Sequence, residues 1–299
     1  MTSPSTSGLS ADMPGADTPG ADTLSADVPG PSPTRRHYLM CPPTYYAVTY
    51  EINPWMHADQ ATDTAVALAQ WERLRDVYLD LGHTVEVIDP LPGLPDMVYA
   101  ANGAMVVAGT VYSASFLYPQ RQPEGPAYER WFTDRGYETF TAQHTNEGEG
   151  DMLVAGDLVL AGTGFRTSRE AHEELRGLLG VEVLGLELVD PRYYHLDTAL
   201  TVLAPGEIAY HPPAFSPEAR ELLAHRFPDA VIVGADDAAV LGLNAVSDGK
   251  HVVVAPAATR FADQLRERGY APIPVPTTEL LKGGGGAKCC TLEIRPRLP

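Results

Sequence analysis

Asn102-Gly-Ala-Met-Val-Val-Ala-Gly-Thr-Val-Tyr112 sets out a pattern that the chain then repeats. A polar residue leads, a short apolar run follows, a glycine turns the chain, and a second apolar run returns. The same order recurs in Asp151-Met-Leu-Val-Ala-Gly-Asp-Leu-Val-Leu160 and in Asp197-Thr-Ala-Leu-Thr-Val-Leu-Ala-Pro-Gly-Glu-Ile-Ala-Tyr210. It recurs again in Asn244-Ala-Val-Ser-Asp-Gly-Lys-His-Val-Val-Val254 and, without a return run, in Cys290-Thr-Leu-Glu-Ile294. By subtraction the lead residues stand 49, 46, 47 and 46 positions apart. Helix-like stretches lie between the units, at 126–135, 168–179, 216–225 and 259–268, and most feed another short strand, as at 181–184 and 230–233. Units of ββαβ type predict an α/β fold with radial repetition, a ring of five blades around a centre. The plainer alternative is an α/β sandwich whose even spacing is accidental.

Upstream, His37-Tyr-Leu-Met-Cys41 reads as a strand ended by Pro42-Pro43, and an aromatic loop runs from Tyr45 to His57. A helical stripe follows over 63–81, with Thr62 or Asp63 as cap and Gly82 as terminator, and then a strand over 84–88. The strand at 37–41 is in a position to complete the fifth blade and close the ring. In such a ring the lead residues Asn102, Asp151, Asp197 and Asn244 and the cysteine pair converge on the axis.

Residues 1–34 carry four pentads of the type Ala11-Asp-Met-Pro-Gly15 and no period that suits a helix or strand. Such a segment cannot bury enough apolar surface to offset its chain entropy, so it reads as a disordered tail, with the folded domain over 35–299. The 299 residues hold 39 acidic and 21 basic side chains, a formal charge of −18, and no long basic run, which argues against nucleic acid and anionic membranes as partners. The three cysteines give neither a disulfide framework nor a CxxC zinc spacing, and a reduced, cytosolic setting fits. No apolar run reaches membrane-spanning length, and the first residues lack the basic and apolar regions of a signal peptide. No metal or cofactor is called for, the partner is expected to be a small molecule, and a homo-oligomer is compatible with everything above.

The chemistry gathers at the unit starts. Gly283-Gly-Gly-Gly-Ala-Lys-Cys289-Cys290 brings two thiols to a strand entrance behind a loop that can approach a ligand closely. Alternation along a strand then turns one thiol to a site and the other to the core; the loop taken alone is equally a flexible connection before two core thiols. Asn146-Glu-Gly-Glu-Gly-Asp151 carries three carboxylates, and Tyr194-His-Leu-Asp197 is expected to put an imidazole and a carboxylate on one strand face. Arg166 ends a glycine turn at a helix start. Singly, His195 reads as a hydrogen-bonded structural histidine, Glu147 and Glu149 as a solvated turn, and Cys41 as core. Together they describe an acidic, water-poor pocket for a guanidinium, an arginine fork for a distant carboxylate, a cysteine to attack the guanidinium carbon, and a histidine to move protons.

On these residues the chain resembles the guanidino-group-modifying enzymes, the pentein superfamily, over roughly residues 37–296. The resemblance rests on the Glu-Gly-rich-Asp turn at 147–151, the Gly-x-Arg-Thr turn at 164–167, His195-Leu-Asp197 and the terminal glycine-rich cysteine loop. It implies a five-bladed α/β propeller. It implies Cys289 as nucleophile, His195 as general acid/base, Glu147 as the catalytic glutamate with Glu149 as its alternative, and Asp197 as guanidinium ligand. Asn102, Arg166, Asn53, Asp151 and, more weakly, Arg121 complete the substrate-binding set. Two departures bear on the reaction: Ala101-Asn102 replaces an acidic pair found in dimethylargininases, and His195 is followed by Asp197, which arginine deiminases keep. With Glu51-Ile-Asn53-Pro-Trp-Met56 this combination looks most like arginine dihydrolase, implying a hydrolase taking arginine to ornithine, carbon dioxide and two ammonia. Alternatives are a hydrolase stopping at citrulline, acting on arginine or on methylated arginine, an amidinotransferase, and a non-catalytic amino-acid-binding protein.

Overall fold

The computed structural model describes residues 1–2 and 30–296. The chain divides into Met1–Gly30 and Pro31–Pro299, and the fold is that of the second unit. Most of the expected tail, residues 3–29, lies outside the described residues.

Five three-stranded sheets share one strand arrangement, an antiparallel pair followed by a parallel one. Ala104–Val107 pairs antiparallel with Thr110–Ser113, which pairs parallel with Glu138–Phe140 after the helix Glu124–Thr133. The Asp151, Asp197 and Asn244 modules repeat this arrangement. The repeating glycine of the sequence is the hairpin residue: Gly109, Gly156, Gly206 and Gly249 all have positive φ, from 74° to 98°, where L side chains pay a steric penalty. The fifth sheet joins distant parts of the chain. Leu292–Glu293 lies antiparallel to His37–Met40, which lies parallel to Thr84–Val87. The strand at 37–40 thus completes the fifth module, as the sequence suggests.

Local chemistry fixes the helices. Asp63 caps Thr64–Asp80 by accepting from the backbone N–H groups of Ala65 and Val66, and Gly82 follows the helix at φ +81°. Ser168 and Ser216 cap Arg169–Leu179 and Pro217–Arg226 in the same way. The first of these helices buries Ala67, Trp71, Leu74, Val77 and Tyr78 in a cluster that also takes in Tyr46, Tyr99, Leu280, Cys289 and Cys290. The two thiols therefore sit where an apolar core meets the polar unit starts. Among the described residues no helix is long and apolar enough to cross a membrane.

One expectation about the unit starts fails. The lead residues do not open strands: Asn102 and Asp197 sit in the short helical turns Ala100–Gly103 and Leu196–Ala199, Asp151 directly follows the turn Gly148–Gly150, and Asn244 lies just ahead of Val246–Ser247. His195 and Asp197 therefore do not share a strand face: His195 precedes the turn, and Asp197 lies within it. Cys289 and Cys290 likewise occupy a turn ahead of the strand Leu292–Glu293, and both are buried. The reason is hydrogen bonding. The start of a helical turn leaves N–H groups free, and the neighbouring module takes them. Asp151 Oδ1 accepts from Leu196 N at 2.9 Å, and the Cys289 carbonyl accepts from Ala101 N at 3.0 Å.

Candidate active site

Four of the five modules meet at Cys289. Its Sγ donates to Asp197 Oδ2 at 3.2 Å and accepts from Asn244 Nδ2 at 3.0 Å. The thiol is 1 % exposed, and burial, with the Asp197 carboxylate beside it, pushes its pKa well above the ordinary cysteine value. Burial also raises Asp197 to about 7, against the partial opposition of Lys288. A cation beside these two groups would favour the thiolate.

His195 is fixed from one side. Its Nε2 meets Glu147 Oε2 at 2.7 Å, while its Nδ1 is buried without a protein partner among the described residues. The free nitrogen lies beside Gly150: a Cβ built there would stand 3.3 Å from His195 Nδ1 and 2.2 Å from Asn102 Nδ2. A glycine is required at 150 for these two groups to approach one another.

Glu147 is completely buried and spends both oxygens. Arg166 Nη1 donates to them at 2.9 and 3.2 Å, and Arg121 Nη1 stands 3.7 Å away. Burial would raise the Glu147 pKa, but Arg166, His195 and Arg121 outweigh it and hold the carboxyl well below the usual glutamate range. Glu149 has other partners: Lys288 Nζ at 2.6 Å, Glu293 N at 2.9 Å, and Arg295. Of the two glutamates, only Glu147 has a hydrogen bond to His195.

Arg166 and Asp151 are both engaged within the protein. The Arg166 guanidinium lies between the rings of Tyr118 and Tyr194, 4.6 and 4.7 Å from their centroids. It donates through Nη1 to Glu147 and through Nη2 to the Ile52 carbonyl at 2.9 Å, so both terminal nitrogens are engaged inside the protein. Asp151 commits one oxygen to Leu196 N and the other to Thr167 Oγ1 at 2.7 Å, and burial raises it to about 6. Arg121 forks onto Glu124 at 2.8 and 3.0 Å and donates through Nη1 to Asn102 Oδ1 at 2.9 Å. That last bond turns the Asn102 amide nitrogen, buried and unpartnered among the described residues, towards Gly150 and His195.

A loop closes over these groups. Tyr99 and Tyr194 hydroxyls donate to the carbonyls of Leu280 and Gly284 at 2.7 and 3.0 Å, and Asn53 Nδ2 donates to the Gly283 carbonyl at 3.0 Å. A Cβ at Gly283 or Gly285 would stand 2.1 or 2.4 Å from the Tyr99 side chain, which accounts for the glycine run. Asn53 is thus placed as a tie between the aromatic loop and the glycine loop.

Sequence reasoning passed over Asp96 and the thiol contact of Asn244. Asp96 is 1 % exposed, accepts from the Tyr50 hydroxyl through Oδ2 at 2.9 Å, and keeps Oδ1 unpartnered among the described residues. Burial raises its pKa. Its signal was available: a lone carboxylate inside the apolar run Leu94-Pro-Asp-Met-Val-Tyr-Ala-Ala101. Asp96 Oδ1, Asp197 Oδ1, Asn102 Nδ2 and His195 Nδ1 are four buried polar atoms left unspent. Two unpartnered carboxylate oxygens, one of them on the aspartate that holds the thiol, and a nitrogen able to move protons suit a planar cation.

No family model matches the chain. It is 54 % identical over 265 residues to an N(G),N(G)-dimethylarginine dimethylaminohydrolase of Mycobacterium tuberculosis, covering 89 % of this chain and 88 % of the relative. It is 35 % identical over 269 residues to the bifunctional arginine dihydrolase/ornithine cyclodeaminase ArgZ of Synechocystis, covering 87 % of this chain but only 38 % of that longer protein. Among solved structures, the substrate-bound N-terminal domain of ArgZ, described as an arginine dihydrolase from the ornithine–ammonia cycle in cyanobacteria, superposes with a TM-score of 0.84 at 34 % identity. That match covers 88 % of this chain and all of the ArgZ domain. A dimethylarginine dimethylaminohydrolase adduct shares the fold, with a TM-score of 0.70 at 20 % identity over 87 % of this chain and all of the other. The chain belongs to the guanidino-group-modifying, or pentein, family, as a carbon–nitrogen hydrolase of the dimethylarginine dimethylaminohydrolase and arginine dihydrolase type.

Proposed function

We propose that this protein hydrolyses the guanidino group of arginine twice, giving ornithine, carbon dioxide and two ammonia. Asp197 and Asp96 receive the guanidinium on their unspent oxygens. Bound positive charge beside Asp197 eases transfer of the Cys289 proton to His195 Nδ1, and the thiolate adds to the guanidinium carbon. His195 protonates the departing nitrogen through Nδ1, with Glu147 stabilising the imidazolium through Nε2. Ammonia leaves an S-linked amidino-enzyme, and water, deprotonated by His195, displaces the sulfur to give a ureido group. In the second round the thiolate adds to the ureido carbon, a second ammonia leaves, and water releases N-carboxy-ornithine, which loses carbon dioxide. Arg166, Arg121, Asp151 and Asn53 hold these groups and the covering loop in place. Lead strands of several neighbouring modules lie against one another, 292–293 on 104–107, 152–155 on 200–204, and 200–204 on 246–247. That supports the finer description of the fold as a closed five-bladed α/β propeller. Three free, buried cysteines fit a reducing, cytosolic setting.

The observation that carries the two-step reading is Asn102. Its oxygen is held by Arg121 Nη1, and its free amide nitrogen faces the reacting region. An N–H donor there attracts a ureido oxygen, which a carboxylate would repel. The neutral intermediate is therefore retained for a second attack. Losing one charge-assisted bond to arginine costs on the order of 1–3 kcal/mol, which the remaining carboxylates can offset. Product identification by mass spectrometry tests this. The wild type should give ornithine and two ammonia per arginine, and Asn102→Asp should release citrulline. Ornithine as the main product of Asn102→Asp would overturn the amide argument. The 54 % identical dimethylarginine dimethylaminohydrolase favours a second reading, in which dimethylarginine is hydrolysed once to citrulline; the same assay with dimethylarginine decides between them.

A further inference from the structure

Asn244 touches the reacting sulfur, and its side-chain amide has all four hydrogen-bonding positions filled. Oδ1 accepts from Gly286 N and from Cys289 N, each at 3.0 Å. Nδ2 donates to Cys289 Sγ at 3.0 Å and to the Asp197 carbonyl at 3.1 Å. A primary amide offers two lone pairs and two protons, and here each meets a different group. One planar group therefore fixes the backbone of the nucleophile, the glycine loop before it, the turn that carries Asp197, and the sulfur itself. Asn244 is 1 % exposed, so water does not compete for these bonds.

We propose that Asn244 is a catalytic residue that stabilises the Cys289 thiolate while setting its position. Burial, the Asp197 carboxylate and the adjacent Cys290 oppose the anion, and the backbone of Gly286 offsets them only in part. Among side-chain N–H groups of the described residues, Asn244 Nδ2 donates to this sulfur. When the proton leaves the sulfur, the bond donated to Asp197 is lost and the Asn244 bond becomes charge-assisted. Other residue types cannot replace it. Serine and alanine lack the reach to span four partners. Glutamine carries an extra methylene into a space where a Cβ on Gly286 would already stand 3.0 Å from Oδ1. Aspartate keeps both acceptors for Gly286 N and Cys289 N but supplies no N–H and places a negative charge against the sulfur.

That last difference separates the two halves of the role, and the inference rests on Cys289 being the nucleophile. The experiment uses the full chain as wild type, Asn244→Asp, Asn244→Ala and Cys289→Ser. Steady-state kinetics with arginine are measured across pH. The pH dependence of iodoacetamide alkylation is followed in parallel, with the modified cysteine located by fragment mass spectrometry and folding checked by circular dichroism. A hydrogen bond to a charged group is worth about one pKa unit or more, so Asn244→Asp should move the Cys289 alkylation profile to higher pH by at least about one unit. It should also lower kcat roughly tenfold or more with little change in KM, and Asn244→Ala should lose at least as much. A folded Asn244→Asp or Asn244→Ala protein whose alkylation profile stays within about 0.3 unit of wild type would overturn the inference. Turnover by Cys289→Ser would instead overturn the nucleophile assignment on which it stands.

Discussion

Replacing Glu147 by glutamine should separate what holds the site together from what runs it. The carboxylate is fully buried and takes two donor contacts from Arg166, at 2.9 and 3.2 Å, and one from His195 at 2.7 Å. Removing its charge strands the Arg166 guanidinium, itself 4 % exposed, with a backbone carbonyl and two aromatic rings. Breaking one side of a buried ion pair costs about 3–5 kcal/mol, and because glutamine still accepts one hydrogen bond, the lower figure applies, about 3 kcal/mol. For a domain of this size that lowers the melting temperature by roughly 6–12 °C. Arg166→Met should cost a similar amount, but the double variant should cost far less than the sum, with a coupling of about 2 kcal/mol or more, because no charge is then left stranded. Urea unfolding of the four proteins measures this cycle. The pH dependence has a definite sign. The Glu147 pKa is depressed in the fold, so its contribution is complete above the ordinary glutamate range and is lost as pH falls through that range and below. The wild type should therefore lose stability more steeply than Glu147→Gln on acidification. Activity should follow a different pattern: Glu147→Gln loses turnover through His195, and the double variant recovers stability without recovering turnover. Additivity within about 0.5 kcal/mol, or a double variant with restored kcat, would refute the reasoning.

Asp197, raised to about 7, must ionise before it can pair with a guanidinium, so kcat/KM for arginine should rise with pH through an apparent pKa near 7; Asp197→Asn should abolish that limb in pH–rate profiles. Cys289→Ser should end turnover, whereas Cys290→Ser, whose sulfur lies in the apolar cluster, should keep activity within about threefold of wild type in the same assay. Gly150→Ala should abolish activity with the chain still folded by circular dichroism, because its Cβ falls 2.2 Å from Asn102 Nδ2 and 3.3 Å from the His195 ring; near-normal kcat would show that the two groups need not meet there.

The modular fold was legible because its determinants are local. A glycine at each hairpin, a cap before three of the longer helices and short apolar runs between them are one-dimensional signals, and strand 37–40 could be assigned to the fifth sheet by the missing return run alone. The lead residues were legible as a set but not in conformation. Their helical turns are held by bonds from neighbouring modules, such as Ala101 N to the Cys289 carbonyl, which no local pattern encodes. The choice between Glu147 and Glu149 needed Lys288 and Arg295, more than 130 residues away, as partners of Glu149. The internal contacts of Arg166 were not legible because the carbonyl at 52 that it engages lies 114 residues upstream. Asn244 was visible as a unit start, but its contact with sulfur depends on where a loop 42 to 45 residues later returns.

The sheet that joins 292–293 to 37–40 has a consequence for how the protein acquires activity. Its register pairs Tyr38 with Glu293 and Leu39 with Leu292, residues 255 and 253 positions apart by subtraction. The other four sheets close through hairpins and short helical crossovers. Loop-closure entropy makes this last pairing costlier than a four-residue hairpin by about 4 kcal/mol, and contacts so distant in sequence form late and slowly. The nucleophile turn lies immediately before Leu292, and Ala101 and Asn244 can grip it only once that strand has docked. During refolding, helical signal and most amide protection should therefore precede thiol reactivity. A chain in which the two-residue strand at 292–293 has yet to dock would hold nearly all its secondary structure and no working centre, so docking of that strand is expected to coincide with the onset of catalysis.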